Sequence, residues 1–364
     1  MKKLVSVVLA VLMLMSVAAF AEGDYRVAMI TDYGDITDQS FNQTTYEACK
    51  AFCEANNIDF TYYKPNGDST AERVAMVEKA DDDGYNVIVM PGYAFGETIA
   101  EVQEEYEDTC FIALDVSEGD LGGATVASNV YCAVYKEELC GYMAGYAAVK
   151  LGYTHLGYLG GMAVPAVVRY GFGFVQGANA AAEELGIAGD VTVEYVYGNQ
   201  FFGDADITAY MDNWYQTLGV QVVFACGGGI YSSAAEAAAK VDGGKVIGVD
   251  VDQAAIIDGT YGEGLTVTSA MKGLGATVTN LLTETVAGNF GNYGGKVEAL
   301  GLVGTEPSLN YVQLAPSTQF SDSFTEADYN DLVAKMFNGE ITVSDAIDAM
   351  PATAITVNDL GTVK

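Results

Sequence analysis

Short apolar runs rich in β-branched residues alternate with longer stretches rich in Ala and Glu in the first third of the chain. Such runs indicate buried strands, and the longer stretches indicate helices. The predicted strands are 27–30, 59–63, 87–91 and 110–115, and the predicted helices are 44–56, 71–82 and 96–107. This alternation predicts βαβ units and a parallel sheet with helices on both faces.

The pattern restarts after Ser128-Asn129. The predicted helices here are 133–151, 171–185, 207–218 and 232–240, and the predicted strands are 155–160, 191–197, 222–226 and 246–249. Near the end of the chain, 340–350 resembles a helix and 354–357 a strand. The repetition and the length of 364 residues predict an α/β fold with two doubly wound lobes.

The first 21 residues have the three parts of a secretory signal peptide. Lys2 and Lys3 precede an apolar run from Leu4 to Met15, and Ala19-Phe20-Ala21 provides the small residues of a cleavage site. The run is shorter than the roughly 20 residues of a membrane-spanning helix. No Cys lies near the cleavage site, so we expect a periplasmic or secreted protein without a lipid anchor.

The formal net charge of −33 argues against nucleic acid and anionic membrane surfaces as partners. The same charge is also explained by a need for solubility alone. Six Cys without a CxxC pair, together with one His, make a zinc site improbable, and we expect no metal. Burial of the cysteines is favoured over disulfides. Phosphate-loop and dinucleotide signatures are absent after the first strand, and no cofactor is expected.

The segment 31–43 places three carboxylates, three aliphatic hydroxyls and three carboxamides after the first apolar strand. In a parallel sheet this is the carboxyl-end position at which a ligand crevice opens. Phe41 beside Asn42 combines a flat ring with a hydrogen-bonding amide, which suits an aromatic ligand. Further polar strand ends follow in both halves at Asp115, Gly228 and Asp250.

With these residues in view, the chain resembles the basic membrane protein (BMP) family of exported, PnrA-like nucleoside-binding proteins of ABC transporters. The resemblance covers essentially the whole mature chain, and the order and spacing of its motifs make it specific. The motifs are Asp32-x-Gly34, Asp38-x-Ser40-Phe41-Asn42-Gln43, Gly84-Tyr85-Asn86-Val87-Ile88, Phe111-Ile112-Ala113-Leu114-Asp115, Tyr142-Met143-Ala144-Gly145, Gly173-Phe174-Val175-Gln176-Gly177, Ile247-Gly248-Val249-Asp250-Val251-Asp252-Gln253 and Ser269-Ala270-Met271-Lys272.

The resemblance implies a type I periplasmic binding protein fold, in which two Rossmann-like lobes are joined by three crossings. The crossings are expected near 128–129, near 265–268 and within 297–312. Lobe one then holds residues 24–128 and 266–296, and lobe two holds 129–265 and 297–364, after a signal peptide at 1–21. A ligand would be captured between the lobes as they close.

The resemblance also implies the roles of particular residues. Phe41 and Phe202 would stack on a base, Asn42 and Asp115 would bind the base edge, Asp250 and Lys272 would bind the sugar, and Asp32, Ser40 and Gly228 would complete the cleft. Other roles remain open for three of them: Asp250 as a helix cap, Ser40 as a helix N-cap and Phe41 as a core residue.

The primary hypothesis is a solute-binding protein, not an enzyme, that captures a nucleoside, with purines favoured, and delivers it to an ABC permease. We expect a monomer. A second hypothesis keeps the fold and changes the ligand to a flavin, a purine base or a furanone signal. A third is an exported nucleoside hydrolase that uses the carboxylates between Asp32 and Asp38 with a metal. The single His argues against it, because the general acid has no candidate.

Overall fold

The computed structural model describes residues 25–363, so the predicted signal peptide lies outside the described part of the chain. These residues form two compact units. Unit 1 contains 25–34, 45–134 and 275–298, and unit 2 contains 35–44, 135–274 and 299–363. The predicted lobes remain a prediction, and they do not coincide with these units. Residues 35–44 and 266–274, which the prediction assigns to lobe one, belong to unit 2, and 129–134 and 297–298, which it assigns to lobe two, belong to unit 1.

Thirteen strands are found in the described residues. They are β1 (Arg26–Ile30), β2 (Asp59–Tyr63), β3 (Val87–Pro91), β4 (Cys110–Leu114), β5 (Val130–Tyr135), β6 (His155–Gly160), β7 (Thr192–Tyr197), β8 (Val222–Cys226), β9 (Lys245–Asp250), β10 (Thr266–Lys272), β11 (Lys296–Leu300), β12 (Val312–Leu314) and β13 (Thr356–Thr362).

The α-helices of the same region lie between these strands. They are α1 (Phe41–Asn56), α2 (Thr70–Asp82), α3 (Phe95–Val102), α4 (Glu137–Lys150), α5 (Pro165–Leu185), α6 (Ala205–Asn213), α7 (Tyr231–Ala238), α8 (Ala254–Tyr261), α9 (Leu274–Val286) and α10 (Glu326–Phe337). A π-helical turn, Trp214–Leu218, extends α6.

Each unit is built on one sheet. In unit 1 the strand order is β11-β5-β4-β3-β1-β2, with β1 to β5 parallel. In unit 2 the order is β12-β10-β9-β8-β6-β7-β13, parallel except for β12. The central strands β3, β4 and β8 are buried along their whole length, which explains their uninterrupted apolar sequences. The α/β prediction is therefore confirmed.

Two predicted elements were wrong. The predicted helix 133–151 is strand β5 followed by α4, with Lys136 between them. Lys136 N–H donates to the carbonyl of Leu300 at 2.9 Å, outside any helical ladder. The predicted helix over 340–350 is irregular. This segment is held to α5 by hydrogen bonds between the side chain of Gln176 and the backbone of Ser344.

Helices α4 and α5 pack closely because each presents glycines to the backbone of the other. A Cβ at Gly141 or Gly145 would meet the carbonyl oxygen of Tyr170 or Phe174. On the opposite helix, a Cβ at Gly173 or Gly177 would meet the carbonyl oxygen of Glu138 or Tyr142, respectively. The GxxxG spacings of the two helices therefore interlock, and this packing sets where the first turn of α4 lies in unit 2.

The six cysteines are buried and free, as the sequence analysis favoured. Burial raises the pKa of each thiol, to about 12 for Cys53, Cys110 and Cys132. These thiols are therefore neutral core groups at physiological pH.

Candidate functional site

The turn before α1 is organised by the carboxylate of Asp38. Its Oδ1 accepts the amide protons of Ser40 and Gln43 at 2.9 and 3.1 Å. Its Oδ2 accepts from the amide and the side-chain nitrogen of Asn42 at 2.9 and 3.1 Å. Gln39 has the left-handed conformation, with φ 56°. The carboxylate thus satisfies amides that a helix start leaves without partners, and it fixes Ser40, Phe41 and Asn42.

Ser40 donates its hydroxyl proton to Oδ2 of Asp250 at 2.6 Å. Asp250 ends β9, is buried, and has the left-handed conformation, with φ 64°. Burial raises the pKa of Asp250, while the nearby charge of Lys272 and the hydrogen bond from Ser40 lower it. A non-glycine residue with such a conformation at a strand end is typical of a functional site.

Lys272 lies at the end of β10, the neighbour of β9 in the sheet of unit 2. Its ammonium forms an ion pair with Oε1 of Glu137 at 3.1 Å, and its side chain is 3% exposed. Three aromatic rings surround the Nζ atom, those of Phe41, Tyr135 and Tyr170, with centroids at 5.1, 5.4 and 5.7 Å. The ring faces stabilise the cation, which is otherwise costly to bury.

Sequence reasoning missed four members of this cluster, the rings of Tyr135 and Tyr170 and the charged residues Glu137 and Arg169. Glu137 is the first residue of α4 and is fully buried. Its Oε2 accepts from Nε of Arg169, on α5, at 2.6 Å. Glu137 follows Lys136 directly after an apolar strand, and no motif marks it, because its partners come from distant parts of the sequence.

Gln253 connects the α1 turn to the turn after β8. Its Nε2 donates to the carbonyl of Gln39 at 3.1 Å and approaches that of Gly228 at 3.5 Å, and its Oε1 accepts from the amide of Val249 at 2.9 Å. Gly227 and Gly228 have φ values of 157° and 51°. The predicted site residue Gly228 therefore needs its left-handed conformation to form this turn.

The two adjacent phenylalanines after β7 have different surroundings. Phe202 is 61% exposed and forms a bridge with Gly229. Phe201 is partly buried and packs against Gly161 and Gly227. Phe202 thus carries a ring that remains accessible, whereas Phe201 fills space within unit 2.

Asp32 and Asp115, the two predicted site residues of unit 1, follow β1 and β4. Oδ1 of Asp32 accepts from the amides of Tyr33 and Gly34, each at 2.6 Å. Gly92 has φ 127°, and a Cβ there would lie 3.1 Å from Oδ2 of Asp32. Asp115 has φ 60°, the conformation seen at Asp250 in unit 2. Both units therefore place a left-handed Asp at the carboxyl end of a parallel strand.

The structure also bears on the other roles considered for Asp250, Ser40 and Phe41, which were helix capping for the first two and core packing for the third. The amide at the start of α8 is bound by Asp252, whose Oδ1 accepts from Ala254 at 3.2 Å, so Asp250 is not the cap of that helix. The Ser40 hydroxyl is used by Asp250, and Asp38 binds the amides of α1. Phe41 is only partly buried, which does not fit a core residue.

Two general features of residues 25–363 bear on the chemistry. No group of three or more His, Cys, Asp or Glu side chains in this region is arranged to hold a metal ion. None of its helices combines the length and the apolar character needed to cross a membrane.

A family model described as "ABC transporter substrate-binding protein PnrA-like" matches residues 25–345. The chain belongs to the Bmp family. It is thus an ABC transporter substrate-binding protein, which implies a small-molecule ligand and a permease partner. The family match ends before β13, so the edge strand of the unit 2 sheet lies beyond it.

Curated relatives agree with the Bmp assignment. The chain is 26% identical over 285 residues to the ABC transporter nucleoside-binding protein BmpA of Lactococcus lactis, covering 73% of this chain and 76% of that protein. It is 27% identical to a CD4+ T-cell-stimulating antigen of Listeria innocua, covering 84% of this chain and 87% of that protein. Basic membrane protein B of Borreliella burgdorferi is 26% identical, with 76% and 78% covered.

Solved structures establish the fold of this Bmp family member. An ABC transporter solute-binding protein from Conexibacter woesei superposes with a TM-score of 0.68 at 21% identity, covering 88% of this chain and 99% of that chain. A solute-binding protein from Aeropyrum pernix gives 0.67 at 20% identity, covering 88% and 87%. The fold is therefore that of the type I periplasmic binding proteins, as the resemblance implied.

Proposed function

We propose that the protein binds a nucleoside, with purine nucleosides favoured, and supplies it to an ABC importer. The observation that carries this proposal is the cluster in unit 2. There the carboxylate of Asp250 accepts a hydrogen bond from Ser40, and the buried ammonium of Lys272 lies over the ring of Phe41. A carboxylate and an ammonium suit the hydroxyls of a sugar, and a ring suits the face of a base. A nucleoside combines the two.

The roles follow from the chemistry of each group. Asp250 accepts hydrogen bonds from sugar hydroxyls, which are stronger when the acceptor is charged. Lys272 donates to the sugar and offsets the charge of Asp250. Phe41 stacks on the base, an interaction worth about 1 to 3 kcal/mol on other aromatic platforms. Asn42, oriented by Asp38, offers its carboxamide to the base edge.

The remaining predicted residues complete the proposal. Phe202 provides a second stacking ring, supported by its exposure. Asp115 binds the base edge, and Asp32 and Gly228 supply further ligand contacts. The name of the Lactococcus lactis relative supports a nucleoside as the ligand class, since that protein is called nucleoside-binding. We further propose that the protein is exported, acts as a monomer and performs no catalysis.

Isothermal titration calorimetry of the purified chain tests the ligand class. Inosine, guanosine and adenosine are titrated, with hypoxanthine as the matched base without a sugar, and riboflavin as a different ring compound. We expect a purine nucleoside to bind at least tenfold more tightly than hypoxanthine, because hypoxanthine lacks the partner of Asp250 and Lys272. Absence of heat with every nucleoside would reject the proposal.

Incubation with inosine separates binding from catalysis. A binding protein returns intact inosine, whereas a hydrolase releases hypoxanthine, which chromatography detects. Metal-dependent release of hypoxanthine would replace the binding proposal with the hydrolase hypothesis.

A further inference from the structure

We propose that Glu137 is a positioning residue. It holds the ammonium of Lys272 in the position from which that ammonium contacts the ligand. The proposal rests on the nucleoside-binding function, because it concerns the same cluster of unit 2. No motif of the sequence analysis included Glu137, and its assignment comes from contacts alone.

Glu137 joins two cations from different elements. Its Oε1 lies 3.1 Å from Nζ of Lys272 on β10, and its Oε2 accepts from Nε of Arg169 on α5 at 2.6 Å. The side chain of Glu137 is fully buried, that of Lys272 is 3% exposed and that of Arg169 is 19% exposed. Each carboxylate oxygen thus has a cation, and the carboxylate cannot move without breaking one of the two ion pairs.

The aromatic rings alone do not fix the ammonium. The faces of Phe41, Tyr135 and Tyr170 attract a cation, but all three centroids lie at similar distances, between 5.1 and 5.7 Å. A carboxylate at 3.1 Å supplies the direction that the rings lack. Without it, the charge of Asp250 draws the ammonium more strongly, and the Asp250 carboxylate would then be less available to a sugar hydroxyl.

The charges around Asp250 make this role measurable. Lys272 and Ser40 lower the pKa of Asp250, whereas Asp38 and Glu137 raise it. Cys140, Tyr170 and Cys226 also lie close, but burial raises their pKa values, and they are uncharged. Removing the charge of Glu137 should therefore lower the pKa of Asp250, provided that Asp250 stays buried, because loss of burial would lower it as well.

The first experiment needs no ligand. The folded protein is treated with an amine-reactive reagent, and modification of each lysine is followed by mass spectrometry. We expect Lys272 to be protected in the wild type and to react about 10 to 100 times faster in Glu137→Gln, because the variant loses the buried ion pair. The exposed Lys335 serves as the internal reference.

Glu194→Gln is the matched control. Glu194 is also buried in unit 2, but its carboxylate contacts His155 and Asn358. We expect the Glu194→Gln protein to keep wild-type protection of Lys272.

The second experiment measures affinity for inosine against pH. We expect Glu137→Gln to weaken binding about 10- to 100-fold. We also expect the acid limb of its binding curve to lie at lower pH than in the wild type, because the pKa of Asp250 falls. Glu194→Gln should match the wild type in both respects.

The outcomes are distinguishable. If the wild type binds no nucleoside, the proposed function fails, while the labelling result still tests the position of Lys272. Unchanged protection of Lys272 in a folded Glu137→Gln protein overturns the inference. If that variant does not fold, Glu137→Asp keeps the charge but is too short to reach both cations. Wild-type labelling of Lys272 in Glu137→Asp would then overturn it.

Discussion

The hydroxyl of Ser40 donates to the carboxylate of Asp250 at 2.6 Å, although 210 positions of sequence separate the two residues. Both residues are buried. The bond attaches the turn before α1 to the end of β9, so the ring of Phe41 and the carboxylate of Asp250 are held in one rigid group. A hydrogen bond donated to a carboxylate also favours its charged form.

Ser40→Ala tests this bond. Loss of the donor should raise the pKa of Asp250 further, so nucleoside binding should fail at a higher pH than in the wild type. We expect affinity near neutral pH to fall about tenfold, the usual effect of losing a hydrogen bond to a charged group. Calorimetry over a pH series measures both effects.

Ser317→Ala is the matched control. Ser317 donates to Asp252 at the same 2.6 Å, but this bond is exposed. Wild-type affinity is expected for Ser317→Ala. An equal loss in both variants would show that Ser40 has no special effect on Asp250.

The local pattern of apolar and polar residues predicted most of the strands and helices. The strands 59–63, 87–91, 155–160 and 222–226 have the bounds that the apolar runs indicated, because polar or glycine residues end each run. The sequence merged β5 with α4, since no glycine or proline separates them and the break consists of Lys136 alone. The segment 340–350 has helix-forming residues, but its contacts with α5 are tertiary and leave no periodic pattern.

The site was predictable where side-chain type and strand end coincide. Ser40, Phe41 and Asp250 were named from such positions, whereas Lys272 was named only through the family resemblance; the structure brings these four together in unit 2. The residues that hold a site residue in place could not be predicted in this way. Glu137 was missed because an acidic residue in the first turn of a helix is common, and only the packing of α4 on α5 brings it to Lys272.

Asp250→Asn should separate binding from stability. Asn tolerates the left-handed conformation of this position, so the fold should persist. Loss of the charge should weaken nucleoside binding about 10- to 100-fold. The pKa of Asp250 is raised in the folded state, so the stability contributed by its protonated form is lost as pH rises through that value. The neutral Asn should therefore raise the melting temperature at pH 7. A lower melting temperature together with lost binding would instead indicate a structural role.

Gly145→Ala should destabilise unit 2. A Cβ at Gly145 would meet the carbonyl oxygen of Phe174, and a backbone atom cannot move aside as a flexible side chain does. We expect a loss of about 3 kcal/mol in the free energy of unfolding, measured by denaturant titration.

Gly259→Ala is the matched control, because this glycine is also helical but has no neighbour within 4 Å of the added Cβ. Alanine should stabilise the protein there by about 0.5 to 1 kcal/mol. Effects of the same sign at the two glycines would contradict the interlocked packing of α4 and α5.

Glu138, next to Glu137 on α4, should make the protein less stable as pH rises. Burial raises the pKa of its carboxyl from 4.5 to about 7, and its Oε2 has no hydrogen-bond partner within the described residues. The neutral form is therefore the one that the folded state accepts. The stability that this group contributes is fully present below pH 4.5 and is lost as pH rises through about 7.

Glu138→Gln should remove this dependence. At pH 8 we expect the variant to exceed the wild type by at most about 3 kcal/mol in the free energy of unfolding, since one pKa unit corresponds to about 1.4 kcal/mol. Near pH 4.5 the two proteins should be equal, because the wild-type carboxyl is then neutral. Denaturant titrations at both pH values measure the difference, with Glu183→Gln, at an exposed glutamate of α5, as the control for removal of a surface carboxylate. A Glu138→Gln protein that is less stable than the wild type at pH 8 would show that the charged carboxylate is satisfied in the folded state, and that burial does not govern its titration.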